Sequence, residues 1–412
     1  MNASTAHSLV AVSHVRYADT LTAAREAARQ ALKQLPTRTR PGWLLAIAGG
    51  QHDPAALLKG FQAELGDLPV VGGCSAGLIS VASTGTTGYE CGVLLFPESL
   101  VPAAILTATG LDQDEAEAGR QLGARLRDMQ LTPQSTVLLF YDSVKSTPPP
   151  VLHLGGRLLD GLYAGLADCQ PLVIGAGMLA DLNLSHSYVF DGRQTCRHTA
   201  VAVVLPPTLA GQIAITHGCL PASNFLEITR IEGARVLELD GRPALAVVEE
   251  HLGVTRNELL ARQPLPALTL GEKQGKPFAP FNDDQYVNRL VISVDPNDDA
   301  LVLFEADFQV GSRIQLMSHE PSRMLESARE QTKALLASLP SQPLQFGLYI
   351  DCAGRSIAFS GMEEDEARLV SQQVGTRCPF LGFYSGVEIA PFMNRSRPLD
   401  WTGVLALFTL TG

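Results

Sequence analysis

One pattern recurs three times along the chain and limits what it can fold into. WLLAIAGG (43–50) leads into PAALLKGFQAEL, then LPVVGGCSAGLIS, then the closing run CGVLLFP. TVLLFYDS (136–143) leads into LGGRLLDGLYAGLADC, QPLVIGAGMLADLNL and TAVAVVLPP. FGLYIDCAGRS (346–356) leads into EEDEARLVSQQVG, CPFLGFYSGVEIAPF and TGVLALFTL. Unbroken apolar strands of this kind are covered on both faces, and an amphipathic stretch between two of them predicts a crossover helix. The expected fold class is α/β (α+β), with repeated strand-helix-strand units forming mixed sheets flanked by helices.

A chain of 412 residues exceeds one ordinary core, so two domains are expected. The division falls at the double proline Pro206-Pro207. Residues 1–207 hold the first two units (about 40–97 and 136–206). Residues 208–412 hold a hairpin-rich insert (208–345) and the third unit (346–412). Within the insert, Glu-Gly and Asp-Gly turns predict hairpins, and PSRMLESAREQTKALLAS predicts an amphipathic helix.

The formal charge is −11 and no basic run occurs, which argues against nucleic acid or an anionic membrane as partner. The first residues lack a basic segment followed by an apolar core, and no run approaches ~18 apolar residues. A cytoplasmic protein without membrane insertion is expected. The seven cysteines are scattered, which suits a reducing compartment. No Cys or His pair has zinc-finger spacing, so no structural metal site is expected.

Four clusters could carry chemistry. Gly72, Gly73, Cys74 and Ser75 end an apolar strand, where small residues either let a ligand approach the backbone or permit a tight turn. The cluster matches neither the Walker pattern nor the dinucleotide glycine fingerprint. His217 and Cys219 share one face of a strand, an arrangement open to a thiol nucleophile, with Cys352 as the other candidate thiol. Arg355 follows a strand end, and Tyr384, Ser385 and Glu388 follow the next one. An unpaired buried carboxylate is costly, so Glu388 is expected either to border a cavity or to meet a partner, with Arg355 as that partner. His186, His198 and His217 lie in or beside apolar strands and could each ligate a haem iron, or be ordinary hydrogen-bonded histidines. There is no CxxCH, HExxH or GxSxG.

Taken together these segments resemble the FIST family. VVGGCSAGLIS followed by CGVLLFP looks like the N-terminal FIST domain. THGCLPASNFLEITRIEGARVLELDGRPAL looks like the start of the C-terminal domain, and DCAGR with FLGFYSGVEIAP resembles its closing motifs. The chain departs from the family at Ser385-Gly386-Val387-Glu388, at Ser356 and at His217, all within the expected pocket. The resemblance implies a sensory ligand-binding module rather than an enzyme. The ligand would be amino-acid-like or a small carboxylate, held by Gly72, Gly73, Cys74 and Ser75 on one side. His217, Cys219, Cys352, Arg355, Tyr384, Ser385 and Glu388 would form the other side. It also implies a separate signalling partner, such as a histidine kinase or a cyclic-dinucleotide enzyme. Some stand-alone bacterial members bind haem and sense nitric oxide, so haem is a possible cofactor.

Overall fold

A computed structural model describes residues 8–253, 255–261, 268–276, 278–281, 285–360, 362–393 and 395–411. Each repeat is a lead strand, a helix and a second strand, with lead and second strands parallel. The lead strands are Pro41–Gly49, Thr136–Asp142 and Leu344–Cys352; the second strands are Val70–Ser75, Leu172–Met178 and Phe380–Ser385. A return strand (Glu90–Pro97, Thr199–Val204 or Gly403–Leu410) lies antiparallel on the other side of the lead strand. Beyond it comes an outer strand, Ala11–Arg16, Ala104–Thr109 or Leu209–Thr216. All three sheets therefore share the order outer, return, lead, second.

The sheets are completed by exchange. After its second strand each unit sends a crossing strand into another unit's sheet. Gly77–Ile79 of the first unit pairs with the third unit's second strand. Val189–Gly192 of the second pairs with the first, and Val387–Phe392 of the third pairs with the second. The exchange is cyclic, so no unit completes its own sheet.

The register superimposes the units residue by residue. Gly72, Gly175 and Gly382 stand opposite Ala46, Leu139 and Tyr349. A Cβ on Gly175 would lie 1.7 Å from the Leu139 carbonyl oxygen, so backbone closeness between strands demands glycine there. The inner faces of the sheets share one apolar core. Trp43 stacks on Phe96 at 4.0 Å, Phe96 meets Phe346 edge-on at 5.1 Å, and Phe346 stacks on Phe408 at 4.2 Å.

Helix pairs cover the outer faces. In the second unit Glu115–Arg127 and Gly155–Leu166 touch backbone to backbone, since a Cβ on Gly161 would lie 1.9 Å from the Ala116 carbonyl oxygen. The amphipathic helix expected in the insert is Pro321–Ser338. It packs beside the outer strand Leu209–Thr216 and the helix Glu366–Gly375 of the third unit. The segment between that outer strand and the helix Pro321–Ser338 forms a separate sheet with its own core, including Ile228, Val236, Leu270 and Leu316. Arg289 anchors it, donating to Asp307 and to the Pro398 carbonyl (3.2 Å).

Candidate functional site

The outer ends of the third unit's lead and second strands meet the separate sheet around a cavity of about 380 Å3. Leu179, Leu182 and Leu184, from the loop after the second unit's second strand, form one wall. Leu290, Ile292 and Phe304 of the separate sheet form another. Cys352, Gly354, Ser385 and Gly386 form the base, and Pro149 and Pro150 reach over from the second unit. The lining is largely apolar with a few polar groups, which is the usual make-up of a small-molecule site.

Behind Ser385 sits Glu388, fully buried. The Ser385 hydroxyl donates to Glu388 Oε1 at 2.8 Å and the Thr402 hydroxyl donates to Oε2 at 3.0 Å. Burial pushes the Glu388 carboxyl well above the usual range; the two hydroxyls pull it down, and nearby Asp400 adds to the rise. A protonated, hydrogen-bonded acid is the form such a site favours. Thr402, on the far side of Glu388, lines a second cavity of about 420 Å3 together with His217, Tyr286 and Phe392. Glu388 thus stands between two cavities.

The expected Arg355–Glu388 pair does not form. Arg355 is fully buried and grips Glu366 with two guanidinium nitrogens, while its Nε lies 3.4 Å from Asp351. Its remaining nitrogen donates to the carbonyls of Thr216, His217 and Trp401 (3.2, 3.1 and 2.8 Å). Burial lifts Asp351 and Glu366 against the pull of Arg355. The cause is topological: the crossing strand carries Glu388 out of its own sheet to face Ala176, whereas Arg355 turns back under the helix that begins at Glu366. Arg355 orients loops and does not line the cavity at Ser385.

The first glycine cluster lies elsewhere. Gly72 and Gly73 face the crossing strand from the second unit, and Gly72 has φ +113°, a conformation that favours glycine. The Cys74 sulfur receives the Tyr188 N–H at 3.2 Å, and burial raises its thiol pKa. The Ser75 hydroxyl donates to the Tyr384 carbonyl at 2.9 Å, and the Tyr384 hydroxyl lies 3.4 Å from Asp365. These residues join units and do not line the cavity at Ser385.

The thiols are poorly placed as nucleophiles. Cys352 borders the cavity, but burial lifts its thiol well above the ordinary value, which leaves it protonated. Cys219 is buried, and its N–H donates to His217 Nδ1 at 3.0 Å. That bond makes His217 Nδ1 an acceptor, and His217 borders the second cavity. His186 Nδ1 is 2.9 Å from the Ser185 hydroxyl, and His198 Nδ1 is 3.0 Å from His153 Nε2; neither borders either cavity.

Sequence reasoning missed Glu366, Thr402 and the leucines of the 179–184 loop. Glu366 reads as an ordinary acidic residue in a helix's first turn. The loop leucines had a signal, because three leucines in a stretch that also carries Asp181 and Asn183 are costly unless covered.

A fold of exchanged strand-helix-strand units, their mixed sheets flanked by helices, defines the class, an α+β protein. The chain belongs to the FIST family: the FIST N domain matches residues 42–242 and the FIST C domain residues 244–391. FIST domains are associated with signal-transduction sensing. An uncharacterised protein of Mycobacterium tuberculosis is 25% identical over 63% of this chain, and one of Mycobacterium bovis is 25% identical over 51%. The matches span 66% and 53% of those relatives, so under two thirds of either. A crystal structure of a chorismatase covers 98% of both chains at 12% identity, but with a TM-score of 0.33 the likeness carries no argument. Among the described residues no helix is long and apolar enough to cross a membrane.

Proposed function

We propose that this chain is a non-enzymatic, cytoplasmic sensory protein that binds a small molecule in the cavity at Ser385. The observation that carries the reading is the cavity itself, apolar on most sides, with the Ser385 hydroxyl at its base donating to the fully buried Glu388. The ligand is compact, with an apolar body and one hydrogen-bonding head. An amino-acid-like or small carboxylic acid qualifies only where its head is met by hydroxyl and backbone donors, because Arg355 is spent on Glu366. Binding draws the 179–184 loop, the separate sheet and the third unit together, and a separate signalling protein reads that change.

The test is a thermal-shift and calorimetric screen of small apolar alcohols, amides, amino acids and carboxylic acids, with haem as a competing arm. A ligand that binds only the folded state at about 100 times its Kd adds about 2.7 kcal/mol. Gly386→Leu should abolish that shift, since even a Cβ there would come within 3.4 Å of the Phe304 ring. No stabilisation by any compound, or stabilisation unchanged in Gly386→Leu, would sink the reading. A Soret band on haem addition that responds to nitric oxide would replace it with the gas-sensing one.

A further inference from the structure

Away from that cavity, the outer end of the second unit's lead strand gathers three side chains of metal-ligating type. Asp142 ends the strand, His153 precedes the helix Gly155–Leu166, and His198 precedes the return strand. One ligand atom from each lies within 4.8 Å of the other two. His153 Nε2 and His198 Nδ1 are 3.0 Å apart, and His198 Nδ1 is 3.9 Å from Asp142 Oδ2. Tetrahedral zinc with bonds of about 2.0–2.1 Å holds its ligand atoms roughly 3.4 Å apart, so small side-chain movements bring all three to one ion.

We propose that Asp142, His153 and His198 form a site for a divalent transition-metal cation of the zinc class. Two imidazoles and one carboxylate favour such a cation over calcium or magnesium, which take oxygen ligands. Glu115 supplies the outer support: its Oε1 lies 3.4 Å from His153 Nδ1, the arrangement that fixes a ligating histidine's ring and tautomer. Asp142 is oriented by the Ser187 hydroxyl and by the His198 N–H at 2.6 Å. His198 keeps 32% of its side chain exposed, which leaves an approach for the ion and a water as fourth ligand. Arg197, whose Nε is 2.9 Å from Asp142 Oδ2 and whose side chain is 43% exposed, is the cation the metal displaces.

The site has a place in the architecture. Asp142 and His153 bracket the segment that carries Pro149 and Pro150 to the ligand cavity, and Ser187 follows the leucine loop on its opposite wall. A bound ion ties the bases of both walls together. No sequence spacing announces this, because the three ligands come from separate turns that only the fold juxtaposes.

The experiment uses the full chain, stripped with a chelator and titrated with Zn2+ and with Co2+ as a spectroscopic probe. One ion per chain is expected, with cobalt giving the intense visible bands of a four-coordinate site. Affinity should fall at least about tenfold in His198→Gln and about 10–100-fold in Glu115→Gln, with circular dichroism unchanged. Arg197→Gln should bind several-fold more tightly. His198 is partly exposed, so its variant remains informative even where His153→Gln fails to fold. Absence of zinc binding by the wild type overturns the proposal. So does cobalt uptake of equal affinity in wild type and in His198→Gln, which would mark an adventitious surface ion.

Discussion

Two junctions between units are built on the same backbone and filled differently. Where the first unit crosses into the third, Leu78 pairs with Phe383; where the third crosses into the second, Glu388 pairs with Ala176. The registers make Leu78 and Glu388 equivalent, with Val189 in the same place at the remaining junction. The serines preceding them are equivalent too, yet Ser75 donates to the Tyr384 carbonyl whereas Ser385 donates to Glu388. Thr402 corresponds to Glu90 in the first unit, which closes its own turn on Thr87 and Gly88. An apolar side chain satisfies the fold at two junctions. The acid is therefore a local addition, and it occurs where a cavity opens.

The third unit differs most at the end of its lead strand, where Asp351 stands at the position of Ala48 and Tyr141. Removing Arg355 should give the largest effect. Arg355→Met leaves Asp351 and Glu366 buried without their cation and should cost about 3–5 kcal/mol in urea denaturation. The triple change with Asp351→Asn and Glu366→Leu should recover most of it, and failure to recover would mean Arg355 acts mainly through the three carbonyls.

Exchanging the junctions is the next step down. Leu78→Glu places an acid where the serine is already committed, and should cost about 2–4 kcal/mol. Glu388→Leu should change stability by less than about 1.5 kcal/mol, because a protonated acid is replaced by an apolar group of similar size. Ligand-induced stabilisation should nevertheless disappear in Glu388→Leu. Equal costs for the two exchanges would show that Glu388 is structural and break the comparison.

A further expected effect is a slope with pH. Burial lifts Asp400 to about 6 despite the pull of Arg289. Its folded pKa is above its unfolded one, so the protonated form favours folding. That contribution is whole below the unfolded carboxylate value of 3.8 and is lost as pH rises through about 6. Between those limits the loss is about 3 kcal/mol at most. Asp400→Asn should flatten the profile between pH about 4 and about 6.5 relative to wild type, and an unchanged profile would assign the slope to other acids.

The repeated core of the fold was legible because its strands are buried on both faces and so read as unbroken apolar runs. Two of the outer strands were not: Ala11–Arg16 alternates buried and half-exposed residues, and Ala104–Thr109 is mostly half-buried at a sheet edge. Cyclic exchange left no trace, since Gly77–Ile79 is three residues long and nothing local says which sheet it joins. The candidate site was read in part. Ser385 and Cys352 do border the cavity, while Arg355 and Glu388, though both near strand ends of one unit, part company at the crossing strand. Which sheet receives a strand is decided by long-range packing, and local sequence does not record it.

The cyclic exchange also governs how the chain can reach its native state. The first unit's sheet lacks its last strand until the second unit supplies Val189–Gly192, and the second waits for Val387–Phe392. Until then each second strand presents an unpaired edge, a surface prone to association with other chains. Such distant pairings make for slow folding, with incomplete intermediates exposed for long periods. The feature that locks the three units together thus delays their completion during synthesis, and gives a chaperone its longest opportunity to act.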